Sequence, residues 1–540
     1  MPQRLLSGRG FYLGLMFQRA AAAHGDVAIT LDRPLDAAMD AGTSLTYRAA
    51  ARLVDDLAAR LWAAGVRPSE HVAIHKTDNF DIVLVACAAS RIGAVPALLS
   101  PALDGSATAA LLGRLHAPWL VTDRATLNGP LAGTGAADLA RRIITVDGGG
   151  TVNGNVNGNV NGAAAGPIDL AAFAGAPARP PVRLHPRDPA LITHSSGTTG
   201  VPKLAVHCPE TMWNRLVPQQ LMGWPTRGET AALCMSFVHS RFYHLLGVLL
   251  GFGSPLLLLV DPAPAAVGPL LVRHRPGIVE THPNTFVLWE ELATAPGTPL
   301  ARVRSYGSTF DAIHPRTIRR LLGASRRRAP WLLQLYGQSE TGPVAFRWYS
   351  RRGATRSNGR LVGTRIPGFT RLRVVDDHGV PCPAGVPGHI EARTRGRILA
   401  YHGAPEQYAR QTNGAWWRMG DMGYRNRWGA LYLIDREIDQ IDSVDSSLHV
   451  EDVLMSRLEE LREVVIVSGP EREAVPVVCT RDDRPLDLSR WERATADLPP
   501  MADPRRWRFD DLPRTGTWKI KRVELIRLLA EDAVPAVPGA

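Results

Sequence analysis

Lysine is scarce in this chain of 540 residues. Only four of its 62 Lys and Arg residues are lysine, so arginine occupies the other 58 (62 − 4) positions. A compact ammonium group on a flexible stem is poorly replaced by a planar guanidinium where it must follow a moving oxyanion. We expect this reason to apply to Lys203 and Lys519, which lie in motifs discussed below. Lys76 and Lys521 carry no such signal, and we expect them to be chance survivors in an arginine-rich composition.

Cysteine and long apolar runs are also scarce. The five cysteines are scattered without a CxxC pair, which excludes a disulfide framework and a cysteine-rich zinc site and fits a reducing compartment. The longest apolar stretch, residues 245–260, is interrupted by glycine and proline, so it predicts a buried helix followed by a buried strand and no membrane span. Arginines divide the apolar residues of the N-terminus, which argues against an export signal. We therefore predict a cytoplasmic protein.

Positive charge is in excess. A net charge of +11 suits an acidic partner such as nucleic acid, a nucleotide or an acidic carrier protein. No basic block is interleaved with aromatic residues, so we expect no nucleic-acid partner. The densest cluster, Arg316, Arg319, Arg320 and 326–328, has near-helical spacing. It predicts a solvated helix face, with a docking surface as the alternative.

The order of helices and strands predicts an α/β fold. Helical periodicity over 47–62 is followed by a short strand at 71–75 and a second helix at 80–92. Such alternation continues to about residue 433 and implies a large layered N-terminal domain, residues 1–434, with mainly parallel sheets.

Two segments depart from this pattern. The Asn/Gly/Val repeat at about 151–166 has nothing to bury and predicts a flexible surface insertion. Beyond Arg436, the sequence predicts a small α+β C-terminal domain over 437–540. Its predicted elements are a helix at 450–461, strands at 463–468 and 475–480, and a last basic helix from Lys521.

A run of small and hydroxyl-bearing residues, 194–203, ends on Lys203 and follows an apolar segment. Small residues let backbone N–H groups approach an anion, threonine hydroxyls add donors, and the lysine adds charge, so the run has the composition of a polyphosphate cradle. Its spacing is not that of a generic P-loop NTPase. Taken alone, the run is equally compatible with a simple turn between strands.

This run resembles the phosphate loop of the adenylate-forming superfamily, which includes acyl-CoA synthetases, peptide-synthetase adenylation domains and firefly luciferase. Four more motifs that are similar to those of the family follow in the expected order. They are Tyr336-Gly-Gln-Ser-Glu340-Thr-Gly, Trp417-Arg-Met-Gly-Asp421, Asp435-Arg436 and Pro513-Arg-Thr-Gly-Thr-Trp-Lys519. The resemblance spans nearly the whole chain, and five ordered motifs are far more specific than any one of them.

The resemblance implies roles for individual residues. It implies ATP as a substrate, Mg²⁺ at Glu340 and Thr199, and Lys519 as the catalytic lysine of a mobile C-terminal domain. The residues implied to bind the nucleotide are Ser196, Gly197, Thr198, Thr199, Gly200, Lys203, Gly307, Ser308, Tyr336, Gly337, Gln338, Asp421 and Arg436. Alternatives remain, since Glu340 is also compatible with a carboxylate at a helix N-terminus and Asp421 with a turn.

The substrate pocket is placed by similarity to the family segments at 237–244 and 306–311. We assign His239 to the catalytic and substrate side, with a hydrogen-bonded core histidine as the alternative. Arg241 is a candidate partner for a second anion on the substrate, or else a surface residue. His244 and Phe310 complete the candidate pocket.

These motifs favour an ATP-dependent enzyme that converts a small aromatic or unsaturated carboxylic acid to acyl-AMP and pyrophosphate. Two anions meet in that reaction, so Mg²⁺ and a lysine between the reacting oxygens stabilise the charge that builds up. Transfer to the thiol of CoA or of a phosphopantetheine-bearing acyl carrier protein would follow.

Four departures from the family pattern put thiol transfer in doubt. They are Leu204, Ile438, Asp445 and Trp518, and Asp445 adds negative charge where an anionic CoA would pass. One alternative keeps the fold but activates nitrite with ATP to diazotise an arylamine. A second alternative is a non-catalytic nucleotide-binding regulator, which would have no need of Lys519. The sequence does not name the acid, the acceptor or the oligomeric state.

Overall fold

The computed structural model describes residues 10–147, 158–160, 163–195, 202–355, 358–515 and 518–532. They form two compact units. The first unit comprises Met1–Glu280, Gln338–Gly342 and Thr394–Arg410, and the second comprises Thr281–Gly337, Pro343–Arg393 and Gln411–Ala540. The division into these units does not coincide with the predicted domain boundary at 434–437, which stays a prediction.

The strands of the described residues are, in chain order, β1 (Ala28–Leu31), β2 (Ser44–Thr46), β3 (His71–Ile74), β4 (Val95–Leu98), β5 (Trp119–Thr122), β6 (Arg142–Thr145), β7 (Gly158–Val160), β8 (Ala163–Ala165), β9 (Ile168–Asp169), β10 (Leu191–His194), β11 (Leu204–His207), β12 (Ala231–Cys234), β13 (Leu256–Leu258), β14 (Ile278–Thr281), β15 (Ser305–Ser308), β16 (Trp331–Gln338), β17 (Gly342–Ser350), β18 (Leu361–Arg365), β19 (Thr370–Val375), β20 (Gly388–Thr394), β21 (Ala400–His402), β22 (Thr412–Asn413), β23 (Trp416–Arg425), β24 (Leu431–Arg436), β25 (Leu461–Ser468), β26 (Ala474–Thr480) and β27 (Arg505–Arg506).

The α-helices of the same residues are α1 (Met16–His24), α2 (Tyr47–Ala64), α3 (Asp81–Arg91), α4 (Gly105–Arg114), α5 (Arg124–Asn128), α6 (Pro209–Gly223), α7 (Ser240–Phe252), α8 (Pro264–His274), α9 (Pro283–Leu288), α10 (Pro315–Ala324), α11 (Arg351–Thr355), α12 (Pro405–Arg410), α13 (Ser447–Arg457), α14 (Leu488–Thr495) and α15 (Arg522–Asp532).

The first unit contains an eight-stranded sheet in the order β21-β11-β10-β4-β3-β5-β6-β9. Its six strands from β10 to β9 pair in parallel, and β11 and β21 add antiparallel edges. Parallel neighbours need long crossovers, and α3 between β3 and β4 is such a crossover. Every residue of α3 is buried, which explains its almost uninterrupted apolar sequence.

Helix α2 begins and ends where its sequence dictates. The Thr46 side chain accepts a hydrogen bond from the Ala49 N–H at 3.1 Å and caps the helix. At the other end, Gly65 has a φ of 113°, in the left-handed region that glycine adopts without strain. The predicted helices at 47–62 and 80–92 are confirmed, and so is the buried helix and strand predicted from 245–260, found as α7 and β13.

The second unit is largely antiparallel between residues 343 and 436. Its strands in this sheet follow the order β19-β20-β23-β24-β18-β17-β16-β15, in which β15 and β16 pair in parallel. Strands β26 and β27, in a separate sheet of this unit, also pair in parallel. Just five residues, 426–430, join β23 to β24, which is too short for a parallel crossover. The α/β class is confirmed, but the sheets are mixed, so the expectation of mainly parallel sheets holds for the first unit only.

The C-terminal segment has its own core, in which α13 and α14 pack on the β25–β26 pair through residues such as Leu454, Ile466 and Trp491. The predicted strands at 463–468 and 475–480 and the helix from about 521 are confirmed. The helix predicted at 450–461 begins and ends earlier, at Ser447 and Arg457, because Ser446 caps it by accepting from the His449 N–H.

Lys76 is wrongly predicted to be a chance survivor. Its side chain is wholly buried, and its Nζ lies 2.7 Å from Asp36 Oδ2, 3.0 Å from Asp81 Oδ1 and 3.8 Å from Asp123 Oδ2. The ammonium donates to Asp36, to Asp81 and, at 3.1 Å, to the Thr77 carbonyl. Its three donors point in three directions, which suits partners on separate elements better than a planar fork does. Lys76 is therefore kept for structure.

Arg316 is wrongly predicted to lie on a solvated helix face. It is 7% exposed, and its guanidinium donates to the carbonyl oxygens of Met455, Leu458 and Leu461. Buried carbonyls at the end of α13 need donors, and a guanidinium supplies several in one plane. Arg326 and Arg328 are exposed, as predicted, but they lie beyond the end of α10 at Ala324 and so form no helix face.

Part of the predicted insertion, residues 151–157 and 161–162, lies outside the described residues. Its described residues form the antiparallel pair of β7 and β8. No helix within the described ranges is long and apolar enough to cross a membrane.

Candidate active site

The phosphate-loop candidates Ser196, Gly197, Thr198, Thr199 and Gly200 lie outside the described residues. The ends of the run are described, and they close a hairpin between β10 and β11. The Ser195 N–H donates to the Lys203 carbonyl at 2.9 Å, and the Lys203 N–H donates to Ser195 Oγ at 3.0 Å. Strands β10 and β11 therefore flank the run, and its phosphate-binding role stays a prediction.

Glu340 belongs to a network of the first unit that also includes Lys203. The Tyr401 hydroxyl donates to Glu340 Oε1 at 2.7 Å, and the Lys203 ammonium lies 5.3 Å from the centre of the Tyr401 ring. Burial and the Glu340 charge raise the pKa of Tyr401 far above its usual value, so its hydroxyl stays a donor. Tyr401 was missed by sequence reasoning, because its partners lie far away along the chain.

Glu340 fits the predicted magnesium role. It is 8% exposed and lies in the turn between β16 and β17, so the alternative of a carboxylate at a helix N-terminus is wrong. No group of three or more metal-binding side chains occurs among the described residues. One carboxylate beside substrate phosphates is a typical Mg²⁺ site, and Mg²⁺ bound there would neutralise phosphate charge. Thr199 lies outside the described ranges.

Arg215, on α6, is a second residue that sequence reasoning missed. It is 3% exposed and donates to the carbonyl oxygens of Ser339, Glu340 and Gly396 at 3.0, 2.9 and 2.6 Å. A fourth contact, from Nη1 to Ser240 Oγ at 3.5 Å, reaches the first residue of α7. Burial lowers the pKa of Arg215 to about 9. Arg215 therefore ties the Glu340 turn to the N-terminus of α7.

His239 lies at the N-cap of α7 and is 7% exposed. Its ring centre is 6.4 Å from that of His194, the residue before Ser195. His194 is neutral, because Nδ1 donates to the Ser195 carbonyl while Nε2 accepts from the Ser100 N–H, and burial lowers its pKa. His239 therefore lies close to the residue that precedes the candidate phosphate loop, and its catalytic role stays a prediction.

Arg241 and His244 lie on the first turns of α7. The Arg241 Nε and Nη2 atoms lie 2.7 and 2.5 Å from Glu280 Oε1, and the Arg241 side chain is only 11% exposed. The surface alternative for Arg241 is therefore wrong. His244 is 2% exposed, and burial, with the charges of Arg215 and Arg241, holds its pKa well below the usual value.

The second unit brings Tyr336, Asp421 and Arg436 together. The Tyr336 hydroxyl donates to Asp421 Oδ2 at 2.5 Å, and Asp421 lies opposite Arg436 in the β23–β24 pair. Asp421 is a strand residue, so the turn alternative is wrong. Burial raises the pKa of Asp421, whereas Arg436, Tyr336 and Lys519 act to lower it. Lys519 is thus within electrostatic reach of Asp421.

Two other candidate segments belong to the second unit. Gly307 and Ser308 end β15, and the hydroxyls of Ser308 and Thr309 are buried without a hydrogen-bond partner among the described residues. The Phe310 ring packs edge-on against His282 at 4.6 Å between centres. Burial, followed by the charge of Lys519, lowers the pKa of His282 to about 3. Gly337 and Gln338 end β16, and Gln338 belongs to the first unit.

Lys519 is presented by a tight loop. The Thr515 N–H donates to the Lys519 carbonyl at 2.8 Å, and the Trp518 N–H donates to the Thr515 carbonyl at 2.9 Å. Trp518 has a φ of 59°, where the family pattern has glycine, so the glycine-type backbone is kept without its residue. The Asn284 amide donates to the Trp518 carbonyl at 2.6 Å and holds this conformation.

The other departures from the family pattern differ in their exposure to solvent. Ile438 is 57% exposed and Asp445 is exposed, whereas Leu204 is buried in β11. Asp435 is fixed by the N–H and hydroxyl of Ser447 at 2.9 and 2.5 Å.

A family model described as "AMP-binding enzyme" matches residues 17–402. The chain therefore belongs to the family of AMP-binding enzymes, and the predicted adenylate-forming superfamily is confirmed. It is an AMP-forming enzyme, and enzymes of this family use ATP and Mg²⁺.

Among curated relatives, the chain is 58% identical to the 3-amino-2-hydroxy-4-methoxybenzoate diazotase of Streptomyces cremeus, over 98% of this chain and 97% of that protein. It is 25% identical to a 4-chlorobenzoate–CoA ligase of an Arthrobacter species, over 92% of each chain. An amide bond synthetase from Marinactinospora thermotolerans has the same fold, with a TM-score of 0.75, 23% identity, and coverage of 96% of this chain and 99% of the other.

Proposed function

We propose that this chain is an AMP-forming diazotase, which activates nitrite with ATP and transfers the nitroso group to the amine of an aminohydroxybenzoate. The observation that carries the proposal is the 58% identity, over 98% of the chain, to a diazotase acting on such a compound. Identity to the 4-chlorobenzoate–CoA ligase is only 25%. The alternative weighed from the sequence thus becomes the first choice, ahead of the acid–thiol ligase.

The proposed chemistry needs ATP and nitrite but no thiol. A nitrite oxygen attacks the α-phosphorus of ATP, a P–O bond forms, and pyrophosphate leaves. The amine nitrogen then attacks the nitroso nitrogen, an N–N bond forms, the N–O bond to AMP breaks, and the amine loses a proton. The nitrosamine rearranges to a diazohydroxide, which takes up a proton and loses water to give the diazonium product. Atoms and charges balance without an oxidant or a reductant.

Residues of the chain have distinct proposed roles in this sequence. Lys519 donates to the oxygens that gain charge as the α-phosphorus is attacked, and Asp421 and Tyr336 hold the nucleoside. Glu340, held by Tyr401, binds Mg²⁺. His239, close to the residue that precedes the candidate phosphate loop, orients the reacting anion. Because no thiol enters, exposed residues such as Asp445 and Ile438 are free to depart from the family pattern.

The test follows oxygen from nitrite to AMP. The purified protein is supplied with ATP, Mg²⁺, ¹⁸O-labelled nitrite and 3-amino-2-hydroxybenzoate. The masses of AMP and of the organic product are then measured by mass spectrometry. We expect nitrite-dependent pyrophosphate release, one ¹⁸O in AMP and a diazo product, all lost in Lys519→Ala. Nitrite-independent release, with label entering AMP only from an ¹⁸O-carboxylate and with acyl-CoA formed on adding CoA, would establish the ligase instead.

A further inference from the structure

We propose that Arg241 binds the carboxylate of the arylamine substrate, so that the enzyme selects aminobenzoates over simple anilines. The inference rests on the proposed diazotase function and adds to it a residue that determines the substrate class. It starts from an incomplete set of contacts around one buried side chain.

The guanidinium of Arg241 is only partly satisfied by protein. Its Nε and Nη2 atoms both point to the same oxygen, Glu280 Oε1, at 2.7 and 2.5 Å. Its Nη1 atom is buried and has no hydrogen-bond partner among the residues that the structure describes. Leaving a buried charged donor unpaired is costly, so Nη1 is suited to an acceptor brought by a ligand. The Glu280 side chain is 5% exposed and fixes the orientation of the fork.

Arg241 is also fixed relative to the predicted reaction machinery of the first unit. It follows His239 and Ser240 at the start of α7, and Arg215 connects Ser240 Oγ to the carbonyl oxygens of Ser339 and Glu340. The helix end that carries Arg241 is therefore tied to the turn that carries the proposed Mg²⁺ ligand. An anion bound at Nη1 would be a substituent of the substrate held near the reacting groups.

The local charge favours a carboxylate even though Glu280 already faces Arg241. Within the described part of the chain, Arg215 donates to neutral oxygens, three carbonyls and one hydroxyl. Two arginines and the glutamates Glu280 and Glu340 sum to zero (2 − 2), so Mg²⁺ bound at Glu340 would leave an excess of positive charge. A benzoate would neutralise this excess, whereas an aniline would not. Charge-assisted hydrogen bonds of this kind are among the strongest in proteins.

The test compares two variants on two substrates that differ by the carboxylate. Arg241→Met and Glu280→Gln are assayed with 3-amino-2-hydroxybenzoate and with 2-aminophenol at saturating ATP, with the arylamine and nitrite varied in turn. For Arg241→Met we expect kcat/KM to fall about 10- to 100-fold with the aminobenzoate and to change less than about threefold with 2-aminophenol. For Glu280→Gln, the KM of the aminobenzoate should fall, because the amide still accepts from Nε but no longer repels the carboxylate.

Other results would overturn the assignment. If Arg241→Met raises the KM of nitrite while leaving that of the aminobenzoate unchanged, the bound anion is nitrite. If both variants impair both substrates equally, the ion pair is only structural. Arg227→Met, which removes an exposed arginine beside Trp224, is the matched control and should change neither substrate.

Binding measurements separate this inference from the proposed function. Calorimetric titration of 3-amino-2-hydroxybenzoate into the wild type and Arg241→Met, with thermal melts to verify folding, does not require turnover. If Arg241→Met is folded but binds the aminobenzoate more weakly than the wild type, the role of Arg241 is supported even if nitrite turnover fails. If the two proteins bind it equally well, that role is overturned even if turnover succeeds.

Discussion

The proposed role of Lys519 predicts that the rate of pyrophosphate release depends on the shape of the cation at this position. Lys519→Arg keeps the charge, but a wider guanidinium cannot enter between the attacking oxygen and the α-phosphate without displacing one of them. Pyrophosphate release should fall by a factor on the order of 10² to 10³, with ATP affinity much less affected, as for a contact made mainly in the transition state. Radiolabelled pyrophosphate exchange and ATP titration measure the two quantities. An arginine variant with most of its activity would remove Lys519 from this role.

Lys76 has a purely structural consequence at the same scale. Lys76→Met leaves Asp36, Asp81 and Asp123 without their shared cation, and breaking a buried ion pair typically costs about 3–5 kcal/mol. Burial already raises the pKa of Asp81, so mild acid should recover part of the loss by protonating it. Denaturant unfolding of the variant at several pH values measures both effects. Lys521→Met is the matched control, and a change as large there would contradict the interpretation.

At the scale of elements, His314 joins the start of α10 to α13 and β25. Its Nδ1 donates to Asp452 Oδ1 at 3.2 Å and its Nε2 to Glu463 Oε1 at 3.1 Å, and these carboxylates raise the pKa of His314 from 6.5 to about 10 despite its burial. Because the folded pKa lies above the unfolded one, the charged imidazole contributes stability fully below pH 6.5 and loses it as the pH rises through about 10.

His314→Gln should therefore lower the melting temperature most at or below pH 6.5, and its difference from the wild type should shrink toward pH 10. Thermal melts across this range measure the difference. A constant difference at every pH would mean that the charge of His314 contributes nothing.

Elements of strong periodicity could be predicted from the sequence, whereas polar contacts across long distances could not. Helix α2 has its cap, apolar face and terminal glycine within one segment, so local rules find it. Arg215 and Arg316 bond to carbonyl groups more than a hundred residues away, and a carbonyl leaves no mark in a sequence. The candidate site was predictable in its motifs because their order carries information. Tyr401 and Glu280 were missed because each matters only through its partner.

At the scale of the whole molecule, the departures at Ile438 and Asp445 from the family pattern predict that CoA does not change the rate of the reaction. With its best substrate, adding CoA should not accelerate AMP release, because the proposed nitroso transfer ends on an amine and Asp445 repels an anionic thiol. Coupled assays of AMP release with and without CoA measure this. Clean acyl-CoA formation at the rate of pyrophosphate release would show that these substitutions are harmless.

Trp518, whose backbone is in the left-handed region, makes the position of Lys519 accessible to fluorescence. An indole is a fluorophore, and Trp518 lies immediately before Lys519, the proposed catalytic lysine. Its ring lies 5.4 Å from the Arg514 guanidinium, and its carbonyl accepts a hydrogen bond from Asn284. Its emission responds to the nearby cation and to solvent, so it reports whether the loop keeps its place during turnover. The chain has 13 tryptophans, and the signal of this one is obtained by subtracting a Trp518→Phe trace. Stopped-flow mixing with ATP would then time the arrival of Lys519 without any attached dye.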